Sequence, residues 1–186
     1  ALTDRIEIGS DRVDIKNLSP SDNSATEITG GYILKFDVPS SDEYSWVTRN
    51  GFPNNGTSAI VVASQKATDL TTAQRDYIRN YVQQMEDALF SEANRGFPSR
   101  SYLDFIDRSS WVDYHLLNTF VSNFDALDRS SYFTKDRGGK LVAGPVWDFD
   151  RSLGSATVFQ TTPPNVWNLE DATDFWNTGW WARLAR

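Results

Sequence analysis

The sequence predicts an α/β domain of the α+β type, with mostly antiparallel strands and two long helices. The observations behind this prediction are a β-hairpin pattern between Ser131 and Trp147, a strand pattern over Gly31–Asp37, and a long amphipathic helix pattern that begins near Thr72. At 186 residues, 39% of them hydrophobic and 13% aromatic, the chain is long enough to bury a sizeable core. No internal repeat or low-complexity linker interrupts it, so residues 1–186 are expected to form a single domain.

The amino-terminal strands are predicted from short alternating or apolar runs between turn residues. Arg5–Ile8 and Arg12–Ile15 flank the turn GSD, which indicates a hairpin or a strand and its return. Gly31–Asp37 follows glycine and precedes the turn residues PSSDE. Ala59–Ala63 is a short apolar strand after the loop Asn50–Ser58, which is rich in Gly, Asn and Pro.

The first long helix has a recognisable start and stop. Thr71 and Gln74 match a capping box, and apolar residues follow at helical spacing along one face. The helix is expected to run from about Thr72 to Ala93 and to end before Gly96 and Pro98. Its aromatic stripe is interpreted as core.

A second long helix is predicted after Asp107 or Ser109, and it delivers Asn123 and Asp125 at its carboxyl end. A last aromatic helix is predicted near the carboxyl terminus, around Trp180, Trp181 and Leu184.

A hairpin follows the second helix. Ser131–Lys135 alternates aromatic and polar residues, and Lys140–Trp147 returns as an apolar strand. Between them Gly138 and Gly139 are expected to supply the positive φ angles of a tight turn.

Three aspartates flank this hairpin. If the second strand continues through Phe149, Asp148 and Asp150 point to the same side, because side chains alternate along a strand. Together with Asp125 they form the carboxylate set that a magnesium and phosphate site requires, since magnesium takes one or two carboxylates and completes its shell with waters and phosphate oxygens. The alternative is structural: the aspartates cap a turn, or pair with arginines such as Arg129 and Arg151.

Composition excludes several function classes. The net charge of −7, without a basic run, argues against nucleic acid as a partner. The absence of cysteine excludes disulfides, thiolate nucleophiles and zinc–thiolate sites. The single histidine, His115, lies in a helical pattern beside apolar residues and is interpreted as a packed or surface residue. No apolar run approaches the roughly 20 residues needed to span a bilayer.

The order of segments resembles a known family. DRIEIGSDRVDI, TGGYILKFD, a helix ending in LLNTFVSNFDALDRSSYFTKDRGGKLVAGPVWDFDRSLG, and GWWARL are similar to the spore-coat-protein-H-like (CotH) kinase family, especially its bacterial branch of secreted, multidomain cell-surface proteins. The most specific parts are NFD, YFTKD, the Gly–Gly turn and GPVWDFD. The resemblance implies an atypical protein-kinase-like fold that binds ATP with Mg²⁺ or Mn²⁺ and transfers the γ-phosphate to protein hydroxyls. It also implies an extracellular or cell-surface location.

The resemblance also implies residue roles. By position, Asp125 matches the catalytic aspartate and Asp148 the metal-binding aspartate, the two anionic roles of phosphoryl transfer. Asp150 is then a second metal ligand or an orienter of its loop. Trp147 is expected to form an adenine wall or to belong to the core, and Arg151 to contact the nucleotide.

The chain departs from the family pattern at two points. Ser130 lies five residues after Asp125, where many members carry an asparagine for a second metal, so reduced metal affinity is expected. The family usually has a further amino-terminal segment that supplies part of the nucleotide cleft and a basic residue for the phosphates. Ala1 and Leu2 run almost directly into a predicted strand, and the last predicted helix stops at the chain end without a cap. The chain is therefore expected to be truncated at both ends and to need its parent chain to complete the cleft. The candidates for this basic role are Lys35, Arg129, Lys135 and Arg151.

A second functional class stays open. In it the chain is a noncatalytic metal- or carbohydrate-associated module of a secreted protein, where the carboxylates bind Ca²⁺ or hold the hairpin. The seven tryptophans then serve packing or sugar stacking. Exposed coplanar aromatics on a flat face favour this class, whereas aspartates facing a shared cavity favour the kinase.

Overall fold

In the part of the chain that the structure describes, five strands and three α-helices pack together. The computed structural model describes residues 5–50, 56–91, 101–121, 123, 126, 129–153 and 179–184. The strands are β1 (Tyr32–Asp37), β2 (Ser45–Trp46), β3 (Ala59–Val62), β4 (Ser131–Lys135) and β5 (Leu141–Ala143). The helices are α1 (Thr72–Phe90), α2 (Arg108–Phe120) and α3 (Trp181–Leu184). The antiparallel strands and two long helices confirm the predicted α+β class.

The strands form one antiparallel sheet in the order β2-β3-β1-β4-β5. In the centre of the sheet Leu34 lies opposite Phe133, and Lys35 lies opposite Tyr132. Because side chains alternate, these two pairs belong to opposite faces. The face of Leu34 and Phe133 is called the first face below, and that of Lys35 and Tyr132 the second face.

The main core lies on the first face. Helix α1 contacts it through Tyr32, whose hydroxyl donates to the carbonyl of Gln74 at 3.1 Å. Aromatic rings from α2 and from the start of α3 complete the packing. Trp111 of α2 lies 5.1 Å from Phe133 and 5.4 Å from Trp181 of α3, and Trp180, immediately before α3, lies 5.3 Å from Phe36, edge to face. Such pairs stabilise a core beyond the area they bury, so all three helices are fixed to one side of the sheet.

Both long helices begin where the sequence predicts. The Thr71 hydroxyl accepts from the Gln74 amide at 3.3 Å, and the Gln74 side chain accepts from the Thr71 amide at 3.0 Å, which is the predicted capping box. Asp107 caps α2 by accepting from the Ser110 amide at 2.9 Å. Helix α1 ends earlier than predicted, because Ser91 takes an extended ψ of 125°. No helix among the described residues is long and apolar enough to cross a bilayer.

The predicted amino-terminal hairpin is wrong. Ile8 and Val13 form only an isolated bridge, and no strand is assigned at Arg5–Ile8 or Arg12–Ile15. The amide of Gly9 donates to Val13 O at 3.1 Å, so the turn's hydrogen bonds are satisfied locally. Alternating residues alone therefore did not recruit this segment into the sheet.

The hairpin of β4 and β5 is confirmed, with two differences. Gly138 has a φ of 66°, whereas Gly139 does not adopt a positive φ. Strand β5 ends at Ala143, four residues before the predicted end at Trp147. Gly144 has a φ of 124°, and the proline that follows lacks the N–H that a ladder needs, so the chain leaves the sheet here.

The turn of this hairpin packs closely on the segment before β1. A Cβ on Gly30 would lie 2.0 Å from the backbone nitrogen of Arg137, so only glycine fits. The Arg137 guanidinium donates to Asp22 at 2.8 Å, and the Lys16 amide donates to the Asp136 carboxylate at 2.9 Å. These contacts attach the amino-terminal segment to the end of the hairpin.

Candidate active site

Lys35, Tyr132 and Trp147 lie together on the second face of the sheet. Lys35 and Tyr132 are register partners on β1 and β4. The Trp147 ring contacts Tyr132 edge to face, with centroids 6.1 Å apart and an interplanar angle of 71°. Thus the segment after β5 carries Trp147 to the side of the sheet that bears Lys35.

The phenol of Tyr132 lies within a group of charges. Its pKa is raised, chiefly by burial, while the charge of Lys35 acts in the opposite direction. The carboxylates of Asp37, Glu43 and Asp148 each raise it further. Since Coulomb interactions fall off with distance, Asp148 and Lys35 act on the same small region of the second face.

Lys35 is held by acidic neighbours. Its ammonium lies 2.9 Å from Glu43 and 3.7 Å from Asp37, and its side chain is 14% exposed. Burial alone would lower the pKa of Lys35, but the hydrogen bond and charge of Glu43, together with the charges of Asp37 and Tyr132, outweigh burial and raise it. Burial likewise opposes the lowered pKa of Glu43, which results from the Ser40 amide at 2.8 Å and from Lys35. Lys35 is therefore a fixed cation.

Asp148 joins the two acidic motifs of the sequence. Its Oδ2 accepts from the Ser130 hydroxyl at 3.1 Å, and its backbone carbonyl accepts from Asn123 Nδ2 at 3.2 Å. Asn123 is the first residue of the NFD motif, and Asp148 belongs to WDFD. The carboxyl end of α2, the start of β4 and the segment after β5 thus meet at one point.

The expectation that Asp148 and Asp150 share one face of a continued strand is wrong. Strand β5 has ended, and Asp148 has a left-handed φ of 59°, so alternation no longer applies. Asp150 and Arg151 lie in the following turn and are exposed. Within the described ranges, no three His, Cys, Asp or Glu side chains are grouped so that they could hold a metal ion.

Asp125 lies outside the described residues, so its predicted role stays a prediction. The structure describes its neighbours Asn123 and Ala126, both of them buried. The carbonyl of Ala126 accepts from the Tyr114 hydroxyl at 3.3 Å. The Asn123 amide donates to Asn118 O at 2.9 Å. Asn123 and Ala126 therefore both lie against α2.

The donors at Asp148 fit a hard divalent cation. The Asp148 carboxylate and the Ser130 hydroxyl are oxygen groups within hydrogen-bond distance of each other, and both residues are half-buried. Magnesium prefers oxygen ligands and needs only one or two carboxylates when phosphates supply the rest. The pair can therefore contribute to a metal–nucleotide site but does not enclose an ion.

Lys135, another candidate for phosphate binding, lies on the other side of the sheet. It is 1% exposed on the first face, where its ammonium donates to Thr29 O at 2.5 Å and lies 4.7 Å from the centre of the Tyr81 ring. Burial lowers its pKa to about 8. Lys35, in contrast, is on the face of Trp147 and Asp148. Arg129, one residue before Ser130, is half-buried.

The aromatic residues are mainly packed. Of the five tryptophans that the structure describes none is exposed, and Trp111, Trp180 and Trp181 are buried. His115 is half-buried and stacks on Trp181 at 6.1 Å, and burial lowers its pKa. Its interpretation as a packed residue is consistent with this position.

Tyr132 and Glu43 were not singled out from the sequence. The alternation of β4 could have separated Tyr132 from Phe133, because the two must point to opposite faces. No local signal connects Glu43 to Lys35, since β1 and the loop before β2 meet only in the folded chain.

Comparison with known proteins identifies the family. A family model described as CotH kinase protein matches residues 8–186. No curated protein matches the chain, and no solved structure matches it. With a match over nearly its whole length and the NFD and WDFD segments joined at Asp148, this chain belongs to the CotH kinase protein family.

Proposed function

We propose that the chain binds ATP with Mg²⁺ or Mn²⁺ on the second face of its sheet and transfers the γ-phosphate to hydroxyls of a protein substrate. The observation that carries this proposal is the contact of Asn123 and Ser130 with Asp148. It joins the two motifs that, in the family, hold the catalytic and metal-binding aspartates. The family match supports a kinase-like function.

Different residues of the second face are proposed to bind different parts of the metal–nucleotide complex. Lys35 supplies a fixed positive charge for the phosphates, because its pKa is raised and it stays protonated. Trp147 offers an aromatic surface to adenine beside Tyr132. Asp148 and Ser130 hold the metal, with Asp150 as a further carboxylate in the same segment and Arg151 as a phosphate contact. When bound, the cation neutralises charge on the phosphate oxygens.

Asp125 is proposed as the base of the reaction. The substrate hydroxyl gives its proton to the Asp125 carboxylate while its oxygen forms a bond to the γ-phosphorus. The bond between that phosphorus and the β–γ bridging oxygen breaks, and ADP leaves with the bond electrons. Lys35 stabilises the negative charge on the phosphates during this step.

Calorimetry of ATP binding, with and without Mg²⁺, tests the proposal in the full-length protein. Asp148→Ala is expected to weaken magnesium-dependent binding at least about 10-fold, or 1.4 kcal/mol. Asp150→Ala should have a smaller effect, since Asp150 is exposed. Asp113→Ala, which removes an exposed carboxylate of α2, is the control. Equal binding by wild type and Asp148→Ala would exclude the metal role.

An assay of phosphate transfer distinguishes the proposed base from the residues that only bind the nucleotide. Asp125→Asn is expected to keep nucleotide affinity and lose transfer, because it removes the proton-accepting charge while preserving shape. Full transfer activity in this variant would show that Asp125 is not the base. If the protein binds Ca²⁺ but binds no nucleotide, and ATP does not change its Ca²⁺ affinity, the noncatalytic module is favoured instead.

A further inference from the structure

We propose that Asn123 is a positioning residue that fixes Asp148, and the segment after it, to the carboxyl end of α2. The effect on metal binding rests on the proposed function. The effect on the conformation of the segment does not, because it depends only on contacts within the folded chain.

Asn123 is placed between two elements. It is 1% exposed, and its Nδ2 group donates both to Asn118 Oδ1 at 3.1 Å and to the Asp148 carbonyl at 3.2 Å. Its backbone amide donates to Asn118 O at 2.9 Å. Asn118 is in turn held within α2 by a bond from its side chain to Tyr114 O at 2.8 Å. One amide group therefore connects a rigid helix with the segment of Asp148.

The segment that Asn123 holds has an unusual backbone. Ser130, Asp148 and Leu153 have left-handed φ angles of 52°, 59° and 53°, which residues with a side chain rarely adopt. Such conformations persist when surrounding contacts determine them, and they cluster at functional sites. Here all three residues lie around the junction of α2, β4 and the segment after β5.

Asn123 acts with a second attachment farther along the same segment. The Leu153 amide donates to Val121 O at 2.7 Å, and the Ser152 amide donates to Phe149 O at 3.1 Å. The segment 148–153 is thus attached to the end of α2 at both of its ends. Removing the Asn123 bond leaves the left-handed Asp148 without its attachment to the helix.

The second polar atom of Asn123 makes a clean test feasible. Asn123 Oδ1 is buried and has no hydrogen-bond partner among the described residues. Leucine has the same branching and the same number of side-chain heavy atoms as asparagine, and it would remove this unpaired acceptor along with the Nδ2 donor. The substitution also takes a donor away from Asn118 Oδ1 and from the Asp148 carbonyl. Asn123→Leu is therefore expected to fold with reduced stability while lacking the attachment.

Amide hydrogen exchange tests the positioning role without any ligand. In Asn123→Leu the amides of Ser152 and Leu153 are expected to exchange about 10-fold faster than in the wild type, while amides of α1 are unchanged. Asn118→Leu is the matched control, because it changes the other acceptor of Nδ2 but leaves the Asp148 carbonyl in place. It should accelerate these two amides less than about 3-fold. Unchanged exchange in Asn123→Leu, or equal acceleration in both variants, would overturn the inference.

A magnesium titration of ATP binding then measures the consequence for the metal. The half-saturating Mg²⁺ concentration is expected to rise about 10-fold in Asn123→Leu, with metal-free ATP affinity unchanged within about 2-fold. A rise equal to that in Asn118→Leu would contradict this consequence. If the wild type binds no ATP at all, the proposed function fails, and the exchange measurement still decides whether Asn123 positions the segment.

Discussion

The Ser130 hydroxyl donates to Asp148 Oδ2 at 3.1 Å, and both residues hold left-handed backbone angles. Ser130 immediately precedes β4 and Asp148 follows β5, so the contact closes the hairpin at the end opposite its turn. The residue that departs from the family pattern is therefore bonded directly to the proposed metal ligand. Substitutions at Ser130 can separate the effect of its backbone conformation from the effect of its hydroxyl group.

Ser130→Gly is expected to stabilise the fold and weaken metal-dependent ATP binding. Glycine relieves the φ of 52°, which is unfavourable by about 1 kcal/mol for a residue with a side chain, but it removes the hydroxyl next to Asp148. Ser130→Asn tolerates the same φ and supplies an amide oxygen, so it should bind Mg²⁺ at least as tightly as the wild type. Thermal melts and magnesium titrations measure both effects. Weaker metal binding in Ser130→Asn than in Ser130→Gly would contradict the assigned role.

Lys35→Met is expected to reduce affinity for ATP by about 10-fold and to leave affinity for adenosine unchanged. The reason is that Lys35 is proposed to contact the phosphates of the nucleotide and not its adenosine part. Lys66→Met is the control, since that side chain is 68% exposed and pairs with Asp42 at 3.5 Å. Competition binding with both ligands measures the difference. A parallel loss for adenosine would show that Lys35 acts on the fold of the site.

Stability is expected to rise with pH between about 8 and 10.5 because of Lys135. Burial lowers its folded-state pKa to about 8 from 10.5, so in this window the unfolded chain binds more protons than the native chain. The penalty for burying the cation is present below pH 8 and disappears as pH rises, on the order of 3 kcal/mol in total. Urea denaturation at several pH values measures it, and Lys135→Met should flatten the profile. An equally steep rise in Lys135→Met would assign the effect to other groups.

The helices and strands that were predicted correctly have sequence signals that involve only residues close together in the chain. The capping box at Thr71 and the alternation in Ser131–Lys135 depend on neighbours in sequence, and α1 and β4 begin where these signals place them. β2 (Ser45–Trp46) was not predicted, because two residues show no periodicity and form a strand only by pairing with β3. The hairpin at Ile8 was predicted wrongly for the complementary reason, since alternation without a partner strand makes only a bridge.

At the candidate site, local sequence signals predicted only which segments lie close together, and the roles of the acidic residues stay predictions. Proximity of the NFD and WDFD segments was expected from the hairpin, and the Asn123 contact with Asp148 agrees with it. The orientation of Asp148 could not be predicted, because its left-handed φ depends on contacts from α2 and Ser130. Strand alternation separates residues into two sets but does not say which set faces the helices, so Lys35 and Lys135 could not be distinguished.

Gly30→Ala is expected to destabilise the fold far more than Gly138→Ala. A Cβ on Gly30 would overlap the backbone at Asp136 and Arg137, which costs about 2 kcal/mol or more because backbone atoms cannot move aside. Gly138 has a positive φ but nothing within 4 Å of its Cβ position, so alanine there costs about 1 kcal/mol. Denaturant unfolding of the two variants gives the comparison, and equal losses would argue against the close approach at Gly30.

Paramagnetic broadening by Mn²⁺–ATP locates the bound nucleotide most directly. Nuclear magnetic resonance signals from the second face and its border are expected to broaden first: the amides of Ser130, Tyr132 and Asp148 and the indole N–H of Trp147. Signals from the first face, such as the amide of Ile78 and the indole of Trp111, should broaden least, because they lie beyond the sheet and farther from the metal, and this broadening falls steeply with distance. Broadening around Trp111 and Trp181 instead, or no broadening that depends on ATP, would contradict a nucleotide site on the second face.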